Sequence, residues 1–140
     1  MKFILIPIIS IAVCQIIKFA AYFWRGGVLS KQSILWEGFW SGRSLSRHGA
    51  LLGSSLYLLW VTRGLDAVFG FAFVASMIFV YSLLEDKKRH EILESYITES
   101  KDEMLKKIVT DRKLRDFNGH TLLEIILGVI IGLSVSIMIF

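Results

Sequence analysis

At 140 residues the chain has the length of about one domain, yet its 54% hydrophobic content and mean hydropathy of +0.60 exceed what soluble proteins carry. The balance reads as an integral membrane protein. The net charge of +4 falls between apolar segments with no aromatic-interleaved basic stripe, so no nucleic-acid partner is expected, and the single Cys14 excludes an internal disulfide.

In chain order, the first apolar run covers 3–24. Its IAVC stretch resembles a lipoprotein cleavage box, but Val13 stands where a small residue belongs before Cys14, so the run is kept as mature structure. An interfacial loop is expected over 25–47, with Gly26 and Gly27 at its start and Trp36 and Trp40 at headgroup level. Further spans are expected at about 49–62, which is short, and 67–84. The polar stretch 85–118 carries Ile92, Leu93, Tyr96, Ile97, Met104, Leu105 and Ile108 at helical spacings, which predicts an amphipathic helix outside the bilayer core. A last span covers about 122–140.

The expected architecture is therefore all-α, a multi-pass bundle of about four transmembrane helices forming one membrane domain over 1–140. Arg25, Lys31, Arg43 and Arg47 lie in the first loop and nine Lys or Arg in the third, against Arg63 alone in the second. Positive residues stay inside, so loops 25–47 and 85–118 are expected in the cytoplasm, and a bacterial cell membrane is the expected location.

That topology gathers Lys18 with Arg25, Arg43 with Arg47 and His48, Lys88 with Arg89, and His120 with Glu124 on one face of the membrane. Ionisable groups near lipid cost a few kcal/mol each unless they pair or line a wet cavity, so the convergence predicts a shared polar site; bases that merely snorkel are the plainer reading. On the last helix His120, Glu124, Gly128, Gly132 and Ser136 recur every four residues, a stripe that should face the bundle. Its glycines suit a homodimer contact or an internal one equally. His90 and Glu94 share the i, i+4 spacing on a solvated helix, where a surface pair is expected.

His48, His120 and Glu124 are a conceivable metal set, but the surrounding Arg and Lys would repel a cation, so neither a metal nor another cofactor is expected. Two imidazoles among basic groups suit a phosphoryl group instead: one attacks phosphorus, the other protonates the departing oxygen.

GRSLSRHGA at 42–50 and GHTLLEIILG at 119–128 resemble the GGMPSSHSA and GHxPxEVxxG signatures of the divergent PAP2 family, small membrane proteins related to acid phosphatases and vanadium-dependent haloperoxidases. CQIIKF at 14–19 is similar to the family's AQxxK element, and LLEDKKRHE at 83–91 falls at its DATGVRRHA-like stretch. The resemblance implies His120 as nucleophile, Glu124 as its orienting carboxylate and His48 as general acid. It likewise implies phosphate contacts from Lys18, Arg25, Ser46, Arg47, Lys88 and Arg89, with a lipid phosphate as substrate and membrane lipids as surroundings. The sequence departs from the pattern where Leu45 and Leu122 replace prolines, Arg47 a small residue, Leu83 an Asp and Asp86 a Gly. Those departures give the alternative expectation of an inactive lipid-binding or scaffold protein.

Overall fold

The computed structural model of the chain describes residues 2–27, 45–100, 102–104, 107 and 120–140. These contain four long helices: α1 (Lys2–Trp24), α2 (Arg47–Arg63), α3 (Ala67–Glu99) and α4 (Leu122–Ile139).

Local chemistry sets their ends. Ser46 caps α2, its side chain accepting from the Gly49 N–H at 3.2 Å, so the helix starts two residues before the expected span. Gly64, at φ +69°, ends it and donates to the Trp60 carbonyl at 2.8 Å. Asp66 then accepts from the Phe69 N–H at 2.8 Å and opens α3, so α2 and α3 are joined by a short turn and run antiparallel. Thr121 and Glu124 form a capping box at the head of α4, with Thr121 N–H to Glu124 Oε2 at 2.8 Å and Glu124 N–H to Thr121 Oγ1 at 3.2 Å.

α3 runs from the expected span at 67–84 straight into the expected amphipathic segment, of which residues 85–99 are helical. It is one 33-residue helix, about 50 Å long against a hydrocarbon core of about 30 Å. Charge begins at Glu85, but no glycine or proline follows Gly70 in the helix, so nothing breaks the backbone ladder where polarity changes. Most of 101–118, and the loop residues 28–44 with Trp36, Trp40 and Arg43, lie outside the described residues.

α1, α2 and α4 make the core, and α3 leans chiefly on α2 with no buried residue of its own. The buried face of α1 repeats every four residues as Ile6, Ser10, Cys14 and Lys18. The buried serines satisfy themselves: Ser10, Ser54 and Ser136 each donate to the carbonyl four residues earlier, at 3.0, 2.9 and 2.8 Å.

The α2–α4 seam is built from small residues on both sides, Gly49, Ala50, Gly53 and Ser54 against Gly128 and Gly132. A Cβ on Gly128 would overlap the Ser46 carbonyl oxygen, one on Gly132 the Ala50 carbonyl, one on Gly49 the Ile125 carbonyl and one on Gly53 the Val129 carbonyl. Backbone meets backbone, as small-xxx-small pairs allow. The Gly128/Gly132 face is thus covered by α2 of the same chain. Numbers rise together along the seam, so α2 and α4 run parallel and their first turns lie at the same end.

Among the described residues, three helices are long and apolar enough to cross a membrane: Phe3–Trp24, Ala67–Glu99 and Leu122–Ile139. Their outward faces carry exposed Ile4, Phe71, Ile78 and Met138, which lipid accommodates and water does not. α2, the fourth expected span, has 17 residues, about 25 Å.

Candidate active site

Parallel packing brings two chain starts together. The Ser46 N–H donates to the Glu124 carbonyl at 3.1 Å, stitching the cap of α2 to the first turn of α4. His48 and His120, each within a few residues of that bond, place their ring centroids 5.5 Å apart with 65° between planes. Phe79 of α3 packs edge-on against His48, centroids 5.6 Å apart.

Nδ1 of His48 and Nδ1 of His120 are both buried without a hydrogen-bond partner. Leaving such a group unsatisfied costs about 1–3 kcal/mol, which folding alone gives no reason to keep. Glu124 Oε2 lies 3.6 Å from His120 Nδ1, beyond hydrogen-bond length, because the same oxygen already accepts from Thr121. A hydrogen bond between these two groups would leave Nε2 as the His120 ring nitrogen not engaged by Glu124.

Both imidazoles stand outside the apolar stretches 49–62 and 122–140, and both protonate less readily than the ordinary histidine value of 6.5. Burial is the first cause in each case; the Arg47 charge adds to it at His48, and the His48 charge adds to it at His120, while Glu124 pulls His120 back up. The Lys18 ammonium, on a residue 4% exposed, contributes its field at His120.

The residues singled out in the sequence therefore divide. His48, His120, Glu124, Lys18 and Arg47 are brought to one end of the core. Ser46 is there too, fully buried, with its hydroxyl oxygen engaged as the α2 cap. Arg25 sits exposed in the turn after α1, its N–H bonded to the Ala21 and Tyr22 carbonyls at 3.3 and 3.2 Å. Lys88 lies about two and a half helical turns beyond Phe79 and half a revolution around α3, so it points away from His48. Arg89 is beside it, its guanidinium side chain 71% exposed and donating to Glu85 Oε1 at 2.7 Å.

Two contributors escaped sequence reasoning. Thr121 was legible, since T-x-x-E ahead of an apolar run is a capping-box signature. Phe79 was not, because α3 is apolar all round and no stripe marks which face meets α2.

Fold and site together define a class: an all-α protein with three candidate membrane-crossing helices and a histidine pair at one end of its core. Within that class the chain belongs to the divergent PAP2 family, whose sequence model matches residues 1–135. No curated protein and no solved structure was found to match it.

Proposed function

We propose that the protein is a metal-independent membrane phosphatase acting on a lipid phosphate, a monoester or diphosphate, from a site at the cytoplasmic face of a bacterial cell membrane. α2 completes a set of four spans in this reading, since its parallel pairing with α4 sets both helices across the same layer. The observation that carries the reading is the His48–His120 pair, 5.5 Å apart, with Lys18 and Arg47 close by.

His120 Nε2 attacks phosphorus and forms an N–P bond as the P–O bond to the lipid breaks. His48 gives its proton to the departing oxygen, then takes one from the water that cleaves the N–P bond and releases phosphate. Glu124 accepts from Nδ1 as His120 becomes positively charged. Lys18 and Arg47 balance the equatorial oxygens, and the guanidinium replaces contacts that the family's small residue leaves to others. Arg25, Lys88 and Arg89 have no place in this scheme as they stand.

Purified protein in chelator should release phosphate from a lipid phosphate, and vanadate should inhibit by occupying the trigonal-bipyramidal position. Saturable binding of the lipid with no release at any pH would replace this reading with the inactive scaffold.

Turnover needs one imidazole neutral and the other protonated, a state that dominates between the two macroscopic steps of the pair. Burial disfavours the imidazolium form at the pair, so kcat/KM should be higher on the acid side of neutrality and fall as pH rises through it. The kcat profile should peak at higher pH, because a bound phosphate dianion favours protonated imidazole. A kcat/KM still rising above pH 7 contradicts the assignment.

A further inference from the structure

Lys88 and Arg89, left over from the histidine site, belong to a second place on the molecule. Tyr81, Leu84, Glu85, Lys88, Arg89 and Ile92 line a cavity of about 460 Å³ on α3. Measured around the helix, five of the six lie on the side away from Phe79 and Arg89 lies at the edge of that side, about 80° from Phe79, so this cavity is centred outward and not toward His48.

Its depth is fixed by the helix itself. α3 is apolar from Ala67 to Leu84, about 27 Å of rise, which nearly fills a hydrocarbon core of about 30 Å. Lys88 and Arg89 follow within about 7 Å and fall in the headgroup layer, while Tyr81, 67% exposed, sits at the depth where aromatic rings with a polar tip rest.

The chemistry of the lining selects a ligand. Two cations stand against the one carboxylate of Glu85, leaving the cavity net positive. Glu85 fixes the guanidinium through one N–H at 2.7 Å, and the remaining Arg89 donors stay available; Lys88 has no acidic partner among the described residues. Below these charges Leu84 and the Tyr81 ring offer an apolar wall to the glycerol and the first methylenes of a chain.

We infer that this cavity binds the phosphodiester headgroup of an anionic phospholipid of the surrounding bilayer, as a site separate from the histidine pair. A cluster of basic side chains at the end of a membrane-crossing helix attracts anionic lipid, and here a lined cavity gives that attraction a defined place. The lipid is a boundary ligand and not a substrate: the cavity contains no imidazole, and its ligand is a diester.

The test uses the full chain in a neutral detergent, its thermal unfolding followed as phosphatidylglycerol or phosphatidylcholine is added. Phosphatidylglycerol should raise Tm and phosphatidylcholine should not. The Lys88→Gln/Arg89→Gln double variant should lose that shift, with its Tm in detergent alone unchanged, since both residues are exposed. The His120→Ala variant should keep the shift in full. An undiminished shift in the double variant, an equal shift with phosphatidylcholine, or an equal shift with glycerol phosphate alone overturns the inference. Loss of the shift in His120→Ala also overturns it, by placing the lipid in the histidine site; none of these outcomes bears on phosphate release.

Discussion

A His120→Ala variant should lose at least about a thousandfold in phosphate release, the scale expected when a nucleophile is deleted and only charge stabilisation remains. The change is clean because His120 precedes the Thr121 cap and is no part of the α4 ladder, so the helix and its capping box remain. Glu124→Gln supplies the matching comparison. Glutamine serves at the third position of a capping box as glutamate does, so the helix start survives while the charge facing His120 is lost. That variant should fall less far, by about 10- to 100-fold. Initial rates on a lipid phosphate in micelles, with circular dichroism to verify folding, make the measurement. His120→Ala retaining a tenth of the activity eliminates the covalent route.

Gly132→Leu should unfold the site from a distance. The Ala50 carbonyl occupies the space where a side chain would begin, and the Ser54 nitrogen lies 2.9 Å from it, so the neighbouring backbone has to retreat. Overpacking of this kind costs about 1–3 kcal/mol or more, against roughly 1 kcal/mol gained by replacing a helical glycine. The net loss should lower Tm in detergent by roughly 5–10 °C and cut turnover with it, since the seam aligns His48 with His120. Gly70→Leu is the control: a Cβ at Gly70 meets nothing within 4 Å, so that variant should hold or gain stability. Equal Tm for the two variants removes the seam as the source of alignment.

The C-terminal end of α1 and the start of α4 were readable from sequence because apolar composition there stops and starts with the helix. The join at Glu85 was not, because loss of apolarity marks where a helix leaves lipid and not whether its backbone ladder continues, and here it continues through Glu99. The seam was half legible. Gly128 and Gly132 stood out against Leu and Ile, while Gly49 and Gly53, set in a helix of modest apolarity, passed without notice although they share the same spacing. Of the site, the histidines and Glu124 could be found from motif and spacing. Which basic residues join them depends on how α3 is rotated about its axis, a quantity that an all-round apolar sequence leaves undetermined. Lys88 and Arg89 show the result, adjacent in motif to the histidine elements and turned outward in space.

The meshing of α2 with α4 also bears on how the protein can move. Carbonyls fill the notches left by the glycines on both helices, so sliding one rod past the other by even a single rise of about 1.5 Å would drive oxygen into backbone. The register of the two helix starts beside which the imidazoles stand is thereby fixed like teeth in a gear. α3, which rests chiefly on α2 and buries no residue of its own, is the least packed of the four helices, and it is the one that sets the Phe79 ring against His48.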